Sequence, residues 1–384
     1  MNVLHLIHNL EREGAQVVLL NIASGPHPAQ DKHVVCAWKR GGPLKSTLEE
    51  RGISVYVAHR PLSHAKTAKK IHFLSMLSTI QDIIRLESIQ LIHAHMSDAA
   101  FIGAVLSKRV KIPMVVTHHS NKLTPSSGLK SFFWYGLLLW TSTATAKHIA
   151  ISASVGHRLK QKLRLSDERL TIVTNGVRLP TQTQITDQRK HVFNPKTAPL
   201  AFPLRGKPVI VAVGRLVHLK GFKQLIQASK QILCGAPQAQ IFILGDGPLK
   251  ATLQQQIDHL NIAHAVTLAG ATDNVPAWLA QADVFVSTSH YEGIPMATLE
   301  AMAWKIPVVA SDVVGTRDIV HDTRTGLLYR LHDIQDLAEK VRQTLDNGPC
   351  TASRIHNARQ MVTEKFSAPS MNTEYRAIYQ KVLG

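Results

Sequence analysis

The stretch VIVAVGRLVHLKGF, residues 209–222, decides the fold. Its first five residues, Val209–Val213, are apolar without alternation, as expected of a strand covered on both faces in a parallel sheet. Gly214 and Arg215 close that strand, and Lys220 and Gly221 open a helix five residues later. Working outward, the same alternation continues to the C-terminal side. Helix Phe222–Leu233, strand Gln240–Leu244, helix Pro248–Leu260 and strand Val266–Leu268 are followed by a short helix at Val275–Ala280. Strand Val284–Ser287, helix Met296–Ala303 and strand Val308–Ala310 complete it. Towards the N-terminus, strands are expected at Met1–Ile7, Val34–Trp38, Ser54–Val57, Leu91–His95 and Met114–Thr117, with helices at Ala15–Ala23 and Asp98–Leu106. Strands alternating with helices predict an α/β architecture with mostly parallel sheets. Between Leu179 and Pro208 periodicity is lost and five prolines occur. This predicts a first domain over 1–180, a linker over 181–207 and a second domain over 208–365.

The length of 384 residues suits two domains at roughly 100–200 residues each. Three cysteines without paired spacing exclude a disulfide framework and a zinc finger. MNVLHLIHNL has no basic n-region of a signal peptide. The longest apolar run, Phe132–Trp140, is half a bilayer span and is expected as a buried helix within 129–141. A cytoplasmic location is therefore expected. The chain carries 44 basic and 26 acidic residues, a formal charge of +18. Residues 1–180 hold 23 of the basic residues against 10 acidic ones, so the first half carries most of the excess. Such a surface suits nucleic acid, an anionic membrane or a phosphorylated substrate.

In open α/β sheets, ligands bind beyond the carboxyl ends of strands, where helix N-termini favour phosphate. Arg215 and Lys220 flank such a turn, and together they would neutralise a diphosphate. The segment HYEGIPMATLEAMAWKIPVVAS, residues 290–311, holds a second constellation. Glu292 falls on the loop after a strand, Gly293-Ile294-Pro295 forms a turn, and Glu300 follows in the helix with seven residues between the two carboxylates. Pro295 is expected in the first helical turn. Carboxylates there suit sugar and ribose hydroxyls; equally, Glu292 as a cap and Glu300 in solvent satisfy the spacing. His93 and His95 in HAHM have a metal-like look, but a strand end is the expected setting, and no metal site is assigned.

VAVGRLVHLKGF, ILGDGP, EGIPMATLEAMA and IPVVASDVVGTRDIV, in this order and spacing, resemble the retaining glycosyltransferases of family 4. Looser similarities extend over EGAQ at 13–16, VVTHHS at 115–120, TIVTNGV at 171–177 and the final FSAPSMNTEYRAIYQKVL. The resemblance implies a GT-B fold, two Rossmann-like domains facing a nucleotide-sugar cleft, with residues 366–384 as a helix crossing back to the N-terminal domain. It implies that Arg215 and Lys220 hold the donor diphosphate. Glu292 and the backbone of Gly293, Ile294, Pro295 and Met296 would hold the sugar, and Glu300 the ribose. His119 would lie by the transferred sugar, and Gly14 would let its loop approach the donor closely. The implied function is retaining transfer from a nucleotide-sugar, UDP favoured over GDP, to a glycan or lipid-linked acceptor in cell-envelope polysaccharide or lipopolysaccharide synthesis. No cofactor is implied, the donor being a substrate. No Asp-x-Asp pair occurs, so metal independence is expected.

The sequence departs from the family pattern at Glu13, Gln16, Thr288, Val314 and Lys305, the last at a usual glycine. These positions bear on loop geometry and sugar identity. Two other functions remain open: a GT-B nucleotide-sugar epimerase, and a basic nucleic-acid-binding protein, which no nucleic-acid motif supports. Finally, Arg51, Arg60, Lys66, Lys69 and Lys70 fall in a stretch without acidic residues, followed by Phe73, Leu77, Ile80 and Ile84 at helical spacing. Docking on an anionic membrane face and an ordinary helix packed on the sheet both account for that pattern.

Overall fold

The computed structural model describes residues 1–58, 66–119, 129–190, 208–272, 274–346 and 348–384; of residues 66–72, 129–133 and 190 it describes the backbone alone. The chain divides into two compact units, Met1–Gly176 with Ala368–Gly384, and Val177–Ser367.

The first unit is built on strands β1 (Asn2–Ile7), β2 (Lys32–Ala37), β3 (Ser54–Val57), β4 (Leu91–His95), β5 (Met114–His118), β6 (Lys147–Ala150) and β7 (Leu170–Ile172). They form one sheet in the order β3-β2-β1-β4-β5-β6-β7, every pairing parallel. Helices α1 (Gly14–Ala23), α2 (Leu44–Glu49), α3 (Lys66–Leu86), α4 (Met96–Val110), α5 (Leu129–Ala144) and α6 (Ala153–Leu163) make the crossovers. One face of the sheet, with Leu4, Leu6, Val34, Ile92 and Val116, packs on α3 and α4 through Leu77, Ile80, Ile84 and Ile102.

The second unit holds α7 (Gln182–Lys190), β8 (Val209–Val213), α8 (Phe222–Gly235), β9 (Gln240–Leu244), α9 (Lys250–His259), β10 (Val266–Gly270), α10 (Val275–Gln281) and β11 (Val284–Ser287). It continues with α11 (Met296–Ala303), β12 (Val308–Ser311), β13 (Leu327–Tyr329), α12 (Ile334–Asp346) and α13 (Gly348–Lys365). Its sheet runs β10-β9-β8-β11-β12-β13, again all parallel. Ile210, Ala212, Ile241, Ile243, Val284 and Val286 form the core with Leu225, Ile232 and Val341. The last helix, α14 (Ala368–Leu383), returns to the first unit, where Asn372 donates to the Asn21 carbonyl at 3.1 Å.

Several differences from the sequence reading have physical causes. Helix α7 lies in the stretch expected to be linker. Thr181 Oγ1 accepts from the Gln184 amide and Gln184 Oε1 accepts from the Thr181 amide, a reciprocal capping box that starts a polar helix without apolar periodicity. Helix α5 is buried along one side only. Leu138, Thr141 and Ser142 are covered, whereas Trp134, Leu139 and Trp140 are 41%, 39% and 37% exposed, with the Lys108 ammonium 4.7 Å from the Trp140 ring centre. In α3 the apolar face with Leu77, Ile80 and Ile84 packs on the sheet, which leaves none of these three for lipid. Arg60, His59 and His64 lie outside the described residues, as do the side chains of Lys66, Lys69, Lys70 and His72. Among the described residues no helix is long and apolar enough to cross a membrane.

Lys305 follows α11 with φ 60°, in the left-handed region, which accounts for the glycine usual there and makes the lysine strained. A side chain in that region costs about 1–2 kcal/mol. Lys305 Nζ offsets little of it through one exposed hydrogen bond to Gln182 Oε1 at 2.8 Å. Lys305→Gly should therefore raise the thermal unfolding midpoint; an unchanged or lower midpoint would remove strain as the explanation.

Candidate functional site

Both sheets change winding direction beside their first strand, between β1 and β4 and between β8 and β11. At such a point the two following loops diverge from neighbouring strands and leave a crevice beyond their carboxyl ends. In the second unit these loops carry the residues singled out from the sequence.

After β8, Gly214 and exposed Arg215 lead into the short turn His218–Lys220. After β11, residues 288–295 lead into α11. The two loops are fastened together. The His290 amide donates to the Leu219 carbonyl at 2.8 Å, and Thr288 Oγ1 donates to the Lys220 carbonyl at 2.9 Å. Gly221 sits between them at φ 64°, and a Cβ there would lie 2.0 Å from the Thr288 carbonyl oxygen. Glycine is needed for both the conformation and the close approach. Gly315, at φ 85°, is held equally tightly: its Cβ would meet the Glu292 carbonyl at 2.4 Å.

Lys220 Nζ donates to Glu292 Oε1 at 2.6 Å, and Ser289 Oγ donates to the same oxygen at 2.6 Å. The ion pair is part-buried, the lysine side chain 27% and the glutamate 12% exposed. The structure thus brings together two residues that the sequence assigned to different parts of a donor. Pro295 is the residue before α11, with φ −75° and ψ 100°, one position earlier than expected; Met296 is the first helical residue. The Thr298 amide turns back to the Pro295 carbonyl at 3.1 Å, so the amides of Met296 and Ala297 face the open start of the helix. The side chains of Ile294 and Met296 are buried, which leaves only their backbone for a ligand. Glu300 stands in the second turn of α11, where burial pushes its carboxyl up to about 7.

Sequence reasoning missed three histidines around this loop. His290 stacks edge-on against His218 and His332, each ring centre 5.1 Å away. Its pKa falls first through burial and then through the other two rings. No spacing rule links positions 218, 290 and 332; three separate strand ends bring them together.

In the first unit, Gly14 opens α1. Gln16, at the departure from the family's glutamate, is buried and donates to Asn9 Oδ1 at 2.7 Å, and the same oxygen accepts from the Glu11 amide at 3.1 Å. Asn9 thereby pins the loop before α1. His119 follows β5 and shares a hydrogen bond of 3.2 Å between its Nε2 and His95 Nδ1. Burial, then His118, lowers its pKa to about 3, so it is neutral near pH 7. His118 turns to the other face and pairs with His148 at 3.0 Å. His5, His93 and His95 carry ring nitrogens within 4.8 Å of one another, a separation loose enough to admit a metal. Every one of these nitrogens already has a partner: His33, His95 and His119 along one line, Tyr379 and Thr117 on His93. The trio reads as a saturated hydrogen-bond network.

Two family models match the chain: residues 2–179 match "Glycosyltransferase Family 4" and residues 201–361 match "Glycosyl transferases group 1". Among curated relatives, the alpha-D-kanosaminyltransferase of Streptomyces kanamyceticus is 23% identical, over 76% of this chain and 77% of that protein. The N-acetyl-alpha-D-glucosaminyl L-malate synthase of Bacillus anthracis is also 23% identical, over 81% and 79%. Among solved structures, Anabaena HepE in complex with UDP-glucose superimposes with a TM-score of 0.81 at 22% identity, covering 99% of this chain and all of that one. The GT-B fold is therefore shown for this chain.

If Lys220 holds the donor diphosphate, as the resemblance implies, Lys220→Ala should weaken UDP binding measured by calorimetry by the roughly 1.5–3 kcal/mol of a charge-assisted contact. Glu292→Ala releases the Lys220 ammonium, so UDP should bind at least as tightly as to the parent; weaker binding would place the carboxylate's role elsewhere. For Glu300, the folded carboxyl has the higher pKa, so the folded state binds the extra proton between pH 4.5 and about 7, and stability is lost as pH rises through that window. Glu300→Gln should gain thermal stability relative to the parent from pH 5 to pH 8. A constant difference across that range would contradict the raised pKa.

Proposed function

The chain belongs to glycosyltransferase family 4, and from that premise we propose that it transfers a hexosyl or N-acetylhexosaminyl unit from a UDP-sugar to a glycan or lipid-linked acceptor with retention of configuration. The observation that carries this reading is the Lys220–Glu292 pair, held at the crevice between β8 and β11 beside the open start of α11. Lys220 and Arg215 supply positive charge for the diphosphate, and the helix start adds its dipole. Lys220 and Ser289 both donate to Glu292 Oε1, and Oε2 is the oxygen offered to a sugar hydroxyl. In the same reading Glu300 accepts from the ribose, the Gly293–Met296 backbone lines the sugar, Gly14 allows close approach of its loop, and His119 contacts the transferred sugar.

Chemically, the bond from the anomeric carbon to the diphosphate oxygen breaks while the acceptor oxygen attacks on the same face. The acceptor proton passes to the departing diphosphate, whose growing negative charge Lys220 and Arg215 stabilise. Retention follows from the family resemblance, and the names of both curated relatives specify an alpha-D-glycosyl unit. A double displacement would require a carboxylate close beneath the ring, and none of the site residues is assigned that role. UDP is favoured because the solved relative holds UDP-glucose. The assignment of the acceptor to cell-envelope polysaccharide or lipopolysaccharide follows from the family resemblance, and the basic surplus of residues 1–180 suits an anionic or lipid-linked acceptor. A peripheral position on the inner membrane face rests on that charge alone, at about 1 kcal/mol per basic residue near an anionic surface.

Hydrolysis of UDP-, GDP- and ADP-sugars without acceptor tests the donor assignment. UDP-sugars should be turned over fastest, with unchanged rates after desalting into EDTA. A requirement for magnesium or manganese would refute metal independence. Sedimentation with anionic vesicles should be lost at high salt; equal recovery on neutral vesicles would refute the membrane position.

A further inference from the structure

His119 is the end of a longer construction. His33 on β2, His5 on β1, His95 on β4 and His119 after β5 come from four successive strands of the sheet. They are hydrogen-bonded in series, His33 to His5 at 2.8 Å, His5 to His95 at 3.1 Å and His95 to His119 at 3.2 Å. Register puts them on one face: His5 pairs with His93, two residues before His95, and His95 pairs with Thr117, two residues before His119. His93 lies beside the line and is held separately by Tyr379 and Thr117, each at 2.7 Å.

Each link joins Nδ1 of one ring to Nε2 of the next. A neutral imidazole has one N–H and one lone pair, and burial keeps all four rings neutral. Such a chain has only two proton arrangements. Either every Nε2 carries the proton, or every Nδ1 does. The ends decide between them. His119 Nδ1 is buried with no partner among the described residues, and a buried N–H left unsatisfied there would be a rare and costly arrangement. With the protons on Nε2, the terminal N–H falls instead on His33, which is 5% exposed where His5 and His95 are fully covered.

We propose that His95 is the positioning residue for His119, and that His5 and His33 extend a chain of single proton polarity that leaves His119 Nδ1 as an acceptor for a substrate hydroxyl. The second half rests on the functional reading of His119 given above; the chain itself does not.

Histidine-selective ¹⁵N labelling of the full-length protein, with long-range ¹H–¹⁵N correlation at pH 7, separates the two. His33, His5, His95 and His119 should all appear as Nε2–H tautomers. His95→Leu should move His119 to a mixture of tautomers, and His95→Asn, whose side-chain oxygen replaces the Nδ1 acceptor, should restore the single form. If His95→Leu does not fold, His33→Leu at the more exposed end should shift the same signals. An Nδ1–H or doubly protonated His119 in the parent, or a tautomer indifferent to His95, overturns the proposal. On the activity side, His95→Leu should lower kcat by roughly tenfold with little change in donor KM. Full activity of His119→Ala beside the expected spectra would overturn the substrate half and leave the chain standing.

Discussion

A parallel strand cannot be joined to its neighbour by a tight turn, so every strand of both sheets hands the chain to a crossover before the next begins. This constraint places the chemistry. The crossovers wind one way from β1 to β3 and the other way from β4 onward, and the second unit repeats the reversal between β8 and β11. The crossovers leaving adjacent strands at those points head in opposite directions. In the second unit the two loops are still hydrogen-bonded to each other. Lys220 and Glu292 occupy one such point and His95 borders the other.

The Lys220–Glu292 contact is informative because neither loop would hold its shape alone. Gly221 lets the β8 loop pass against the Thr288 carbonyl, and Gly315 lets a third loop close on the backbone of Glu292. The side chains then meet with little freedom left, which lowers the entropic cost of ordering a ligand there.

In the first unit the corresponding layer is polar where a doubly covered sheet is usually apolar. Seven of its buried groups, His5, His33, His93, His95, Thr117, Tyr375 and Tyr379, lie between the strands and the helices above them. They are tolerated because they satisfy one another: His93 alone bonds to both Tyr379 and Thr117, and Thr117 to Tyr375. A network of this kind loses more than one bond when a member is removed, since each ring left behind is a buried polar group without a partner.

The alternation of apolar runs and helical periods determined the α/β class, most strand positions, the loops that carry Lys220 and Glu292 and the helix that carries Glu300. Those signals are local, set by burial on both faces of a strand and by the start of a helix. Strands β6 and β13 were not legible: KHIA and LLY hold one β-branched residue or none, where the equally short β3, β11 and β12 each hold two. Helix α7 was hidden behind prolines although Thr181 and Gln184 carried its cap. The ion pair spans 72 positions, and the histidine line joins residues 33, 5, 95 and 119. Only the tertiary structure decided these, since sheet order and register, not separation along the chain, determine which side chains share a face and which loops meet.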